Sequence, residues 1–330
     1  MREEMTSRRG RISKIFALAM ALVLLSAGSH AAQAADNVSL RLHWLVNGST
    51  VAFYLGLERG YFKDAGINLT INEGKGSMIA AQVVGSGSEQ FGTADAVSII
   101  QSEAKGMPIK AIMTIQDVGA LGVLWSKTSD IKAMKDLKGK RMGVTAGDAL
   151  TQQWPVVAES NGLTKDSVNL AYMDGAAKPV SLLNGQVDAI LGACIDHVVL
   201  LESKGFPVQC QRFADYGVPT VGVSLLTNEN LIKNNPDLVK RFVAASVKSY
   251  KAFYEDPQAA LDAAVRARPD IDRKVVGGQA ELIKAYYSAA ASGRIDRAKW
   301  QSTVEVMKKT GVLSSDRPFD SYFVADFVQP

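Results

Sequence analysis

Residues 42–69 read LHWLVNGSTVAFYLGLERGYFKDAGINL. Residues 39–45 alternate as a strand does, Asn47-Gly48-Ser49-Thr50 breaks the pattern, and Val51, Tyr54, Leu55, Leu57 and Glu58 then fall at helical spacing. Strand, loop and helix in that order place the loop at the carboxyl end of a strand, the side on which open α/β sheets bind ligands. The loop carries an indole, Trp44, and an amide, Asn47, a pair suited to orienting a flat ligand. The same two residues would serve equally well as a half-buried core aromatic and a helix cap.

Outward from this stretch the pattern repeats. Strands near Leu40, over 68–72, near Phe91 and over 109–114 alternate with helices from Val51, Ser77 and Val97. A second series has strands over 141–144, 168–172, 189–192 and 208–213, with helices over 149–161, from Pro179 and over 196–203. Such alternation predicts βαβ units and mostly parallel sheets. Extended apolar runs over 119–125 and 221–226 would carry the chain from the first series to the second and back. The expected organisation is two lobes, residues 35–120 and 121–220, with 221–330 returning to the first lobe. Asn235-Pro236 and Asp256-Pro257 each set a capping side chain before a proline, opening helices. Further helices are expected over 274–291 and 296–309, packed on the first lobe.

Residues 1–34 stand apart. A basic segment with Arg2, Arg8, Arg9, Arg11 and Lys14, an apolar run over 15–26 and Ala32-Gln33-Ala34 compose a cleavable secretory signal peptide, the run falling short of the ~20 residues that span a bilayer. Its removal takes away five basic and two acidic side chains and lowers the net charge from +4 to +1. No basic patch remains to argue for nucleic acid or an anionic membrane. In an oxidising compartment Cys194 and Cys210 could form one disulfide, but Cys194 lies in an apolar run and reads as a buried small hydrophobe, which sets free thiols slightly ahead. No metal-ligand spacing and no cofactor motif occurs.

Gly56-Leu57-Glu58-Arg59-Gly60-Tyr61-Phe62-Lys63-Asp64-Ala65-Gly66-Ile67 resembles a segment of the SsuA/THI5-like (NMT1/THI5-like) solute-binding proteins of ABC importers. The resemblance continues through Gly85-Ser86-Gly87, residues 104–109, residues 136–143 and residues 183–189, and so covers most of the chain. It implies a two-lobed type II periplasmic-binding-protein fold, a monomeric periplasmic receptor closing on a small-molecule ligand, and an ABC permease as partner. A receptor feeding a sensor kinase would share these features.

The loops after the strands supply the candidate ligand residues: Trp44, Asn47, Lys75, Gly76, Ser77, Asp95, Asp117, Gly147, Asp174, Asp196 and Tyr216. Asp148 and Asp196 also suit helix capping, and His197 is expected on the surface. The loops are rich in Asp, whereas anions such as sulfonate or nitrate need basic or amide donors; carboxylates favour a nitrogen-rich heterocycle offering N–H groups. That agrees with the branch of the resembling family that binds thiamine pyrimidine precursors; a cationic amine would suit the acids as well, and riboflavin-like, sulfonate or nitrate ligands are the alternatives. The resemblance extends to fungal thiamine pyrimidine synthases, but Ala94 and Ser98 stand where their lysine and histidine would fall. Residues 216–220 replace their cysteine motif, so no enzyme is expected.

Overall fold

The computed structural model describes residues 35–164, 166–287, 292–309 and 311–328. The expected signal peptide and the end of the helix expected over 274–291 lie outside the described residues.

The described strands are β1 (Asp36–Arg41), β2 (Ile67–Asn72), β3 (Phe91–Asp95), β4 (Ile109–Thr114), β5 (Leu121–Ser126), β6 (Arg141–Val144), β7 (Asn169–Tyr172), β8 (Ala189–Ala193), β9 (Val208–Arg212) and β10 (Val223–Asn228). They form two five-stranded sheets, ordered β2-β1-β3-β10-β4 and β7-β6-β8-β5-β9. In the first, β1 runs parallel to β2 and β3, and only β10 opposes its neighbours. In the second, β6 runs parallel to β7 and β8, and only β5 opposes its neighbours. The two opposed strands are those of the crossover segments: each enters the other lobe's sheet against the grain. This is a two-lobed type II periplasmic-binding-protein fold.

Helices bury both faces of each sheet. Helix Val51–Glu58 is buried over Val51–Gly56 and packs beneath Pro236–Glu255. The Asn235 and Asp256 caps form as the sequence implies, accepting from Leu238 and Ala259 amides at 3.1 and 2.9 Å. The C-terminal helices do not confine themselves to the first lobe. Arg273–Tyr287 packs along Cys194–Ser203 of the second lobe, and Val306 of helix Arg297–Lys309 packs against the second lobe's core.

The crossovers run side by side. Gly119 N donates to Thr220 O at 2.8 Å, Gly222 N to Gln116 O at 3.0 Å and Gln116 N to Val223 O at 2.9 Å. The cysteines are not free: Cys194 and Cys210 form a disulfide that ties the start of helix Cys194–Ser203 to β9. β5 lies between β8 and β9 and brings residue 194 and residue 210 to the same side of it, a proximity that chain order hides.

Candidate functional site

Each sheet has a point where the connection leaves one strand in opposite directions, β1/β3 in the first and β6/β8 in the second. Loops diverge there and leave a crevice. The two crevices face each other across one cavity of about 80 Å³. The first lobe contributes His43, Trp44, Ser49, Gly76, Ser77 and Asp95; the second contributes Asp148, Lys178, Asp196 and His197, with Gln116 from a crossover.

The loop after β1 is fixed by backbone bonds before any ligand arrives. Gly74 N donates to Trp44 O at 3.1 Å and Gly76 N to His43 O at 2.9 Å. Val46 N donates to Glu73 Oε1 at 2.8 Å, and Arg268 holds Oε2 of the same carboxylate at 3.1 Å. Trp44 is held against the opposite lobe: a Cβ added to Gly175 would lie 2.5 Å from its Cζ2 and closer still to Cη2. Asn47 is 4% exposed. It does not cap the following helix; its Oδ1 accepts from Ser49 and its Nδ2 donates to Asp196 Oδ2 at 3.1 Å, across the lobes. Behind this pair the Gln279 side chain accepts from Gly48 N at 3.1 Å and donates to Asp196 O at 3.2 Å.

Asp95 ends β3, is 5% exposed, and exchanges two hydrogen bonds with Ser77: Ser77 Oγ donates to its Oδ2 at 3.0 Å and accepts from its N–H at 3.1 Å. Burial pushes its carboxyl up to about 6, the Ser77 bond opposing and the Asp148 charge assisting. Burial raises Asp196 to about 7 against the pull of Asn47. Asp148 is the helix cap expected, accepting from Thr151 N at 2.7 Å, and its other oxygen meets Lys178 Nζ at 3.1 Å in a buried ion pair. Asp196 does not cap, because its helix begins two residues earlier, at Cys194, and its carboxylate lies in the first turn.

His197 corrects the surface expectation. It lines the cavity with Nδ1 3.1 Å from Ala193 O, and burial, helped by the Lys178 charge, lowers it to about 4. His43, with Nδ1 3.0 Å from Thr93 Oγ1, is lowered by burial to about 4 as well. Both imidazoles are therefore neutral at physiological pH.

Of the residues expected from sequence, Trp44, Gly76, Ser77, Asp95 and Asp196 meet at the cavity and Asn47 stands directly behind. Five do not line it. Lys75 is exposed. Asp117 pairs with Lys299 in the bend that follows β4, where Gln116 is the residue that lines the cavity. Gly147 bends the chain at positive φ one residue before Asp148. Asp174 is exposed, accepting from Ala176 N at 2.9 Å. Tyr216 follows edge strand β9, remote from the crevice, and packs on the second lobe's core. Sequence reasoning passed over His43, Ser49 and Lys178. Of these only Lys178 left a signal, the single charged side chain of helix Ala177–Leu183.

Comparison with known proteins agrees with the fold. Residues 47–260 match the family model described as NMT1/THI5 like, and the chain belongs to that family. The formylaminopyrimidine-binding protein of Halalkalibacterium halodurans is 25% identical over 76% of this chain and 77% of its own. A 4-amino-5-hydroxymethyl-2-methylpyrimidine phosphate synthase of Saccharomyces cerevisiae is 23% identical over 85% of each. Among solved structures, the alkanesulfonate-binding protein SsuA of Xanthomonas axonopodis pv. citri, bound to MOPS, superposes with a TM-score of 0.67 at 16% identity, covering 87% of this chain and 98% of its own.

Proposed function

We propose that the chain is the periplasmic solute-binding component of an ABC importer, exported by its N-terminal signal, and that it captures a small nitrogen-rich aromatic heterocycle of the thiamine-pyrimidine type between its lobes. The observation that carries the reading is that Asp95 of one lobe and Asp196 of the other line the same cavity, walled by Trp44 and apolar side chains. Carboxylates accept hydrogen bonds and repel anions, so amino and ring N–H groups suit this site and sulfonate or nitrate does not. The bacterial relative named for formylaminopyrimidine binding supports the same ligand class.

A synthase reading has the yeast relative in its favour. Against it, Ala94 and Ser98 are buried without nucleophile or base at the positions where the synthase resemblance requires a lysine and a histidine. The lysine that does line the cavity, Lys178, is ion-paired to Asp148.

Calorimetric titration of the mature chain with 4-amino-5-hydroxymethyl-2-methylpyrimidine, riboflavin, ethanesulfonate and nitrate tests the proposal. Saturable binding of the pyrimidine with no heat from either anion is expected. Preferential binding of an anion would refute the ligand class, and a covalent pyridoxal phosphate adduct seen by mass spectrometry would restore the enzyme.

A further inference from the structure

The charges around the cavity do not balance. Among the described lining residues are three carboxylates, Asp95, Asp148 and Asp196, and one ammonium, Lys178. That ammonium is spent on Asp148, 3.1 Å away. The imidazoles of His43 and His197 sit in the same wall, each engaged by an uncharged oxygen, Thr93 Oγ1 and Ala193 O. Asp95 is met by a hydroxyl, Ser77, and Asp196 by an amide, Asn47. Neither partner carries charge. A buried carboxyl with no cation beside it keeps its proton to higher pH, as Asp95 and Asp196 do, and a cation is the one partner that the protein itself does not supply to either.

Geometry makes the demand specific to a ligand between the lobes. Asp95 belongs to the first sheet and Asp196 to the helix that follows the second. Asn47 occupies Oδ2 of Asp196, which leaves Oδ1 to face other donors. A positive charge seated between them would attract both side chains at once and draw the lobes together.

We propose that the site takes its ligand as a monocation, a flat amidinium-type edge such as a protonated aminopyrimidine, held between Asp95 of one lobe and Asp196 of the other. This rests on the solute-binding reading and adds the charge state to it. Lys178 and Asp148 form a neutral wall beside the ligand, and Trp44 covers the ring.

Three probes of nearly the same shape isolate charge: benzamidine (positive), benzamide (neutral) and benzoate (negative), titrated calorimetrically at pH 7.5 beside 4-amino-5-hydroxymethyl-2-methylpyrimidine. Benzamidine should bind about tenfold or more tighter than benzamide, and benzoate should not bind. Asp196→Asn and Asp95→Asn should each abolish the preference for benzamidine over benzamide while the thermal midpoint shows that the chain still folds. Equal affinity for benzamidine and benzamide, or a preference for benzoate, would overturn the cation proposal. So would tight binding of the pyrimidine that both Asn variants leave unchanged, and that result would leave the heterocycle reading in place. Benzamidine binding with a silent pyrimidine would refute the heterocycle and keep the cation; silence from all four would overturn both.

Discussion

Gly175→Ala is the sharpest perturbation of the closed arrangement. The residue has no φ that demands glycine, so the added methyl strains nothing in its own loop. It would instead lie 2.5 Å from Cζ2 of Trp44 and 3.2 Å from Cζ3. Restoring a carbon–carbon separation of ~3.5 Å pushes the indole back by about 1 Å or more. Trp44 has little room to retreat, since its carbonyl is held by Gly74 N and the next residues by Glu73. Overpacking of this kind costs about 1–3 kcal/mol. The contact joins the two lobes, so the cost falls on the closed form alone, and affinity should drop by roughly 5–150-fold. The ligand-free chain should unfold at the wild-type denaturant midpoint. Calorimetry with 4-amino-5-hydroxymethyl-2-methylpyrimidine gives the affinity, and small-angle scattering gives the compaction on ligand addition. Trp44→Phe in the Gly175→Ala background should recover much of the loss. Wild-type affinity in Gly175→Ala would show that Trp44 does not seat on Gly175 when ligand is bound.

Gln279→Leu removes the bridge between Gly48 N and Asp196 O and leaves both unpaired, so it should destabilise the closed form by about 1–3 kcal/mol; an unchanged ligand affinity would deny the bridge. Cys210→Ser, or reduction, should lower the unfolding free energy by about 2–4 kcal/mol in denaturant melts, the disulfide closing a loop of sequence separation 16. The pH dependence of the empty protein has opposing parts. Asp95 and Asp196, raised to about 6 and about 7, hold protons that the unfolded chain has lost, so their contribution to stability falls as pH rises from about 4 to 7. His43 and His197, lowered to about 4, contribute the reverse between about 4 and 6.5. Asp196→Asn should therefore gain stability relative to wild type steadily from pH 4 to 7 and no further above it; a difference flat across that range would contradict the burial of Asp196.

The strand-loop-helix alternation made the two lobes legible in the sequence, because hydrophobic period and capping residues are local signals. The Asn235 and Asp256 caps show how far such signals reach. The site was legible where a loop follows a strand beside the crevice, as with Trp44, Asp95 and Asp196. Ser77, Asp174 and Tyr216 all follow edge strands, yet only Ser77, bonded to Asp95, reaches the cavity, and such a contact is a tertiary fact no loop announces. Gln116 and Asp117 are neighbours in a bend after β4, and no local pattern says which of the two faces the cavity. Lys178 was obscured because its partner Asp148 is brought to it only by the folded second lobe, and His197 because its ring turns back onto β8 at Gly192 and Ala193. The disulfide was missed for a similar reason: it joins segments flanking a strand that arrives from elsewhere in the chain.

The paired crossovers carry a mechanical consequence. Two peptide segments lying side by side and cross-linked at Gly119–Thr220 and Gln116–Gly222 act as a flexure, soft to bending across the ribbon and stiff to twist along it. Gly222 lies so close to Gln116 that an added Cβ would come within 3.0 Å of that side chain, which leaves little slack for one segment to slide past the other. A hinge motion about this ribbon would be confined to nearly one coordinate, so that the two halves of the cavity would part and meet in the same register with no orientational search to repeat.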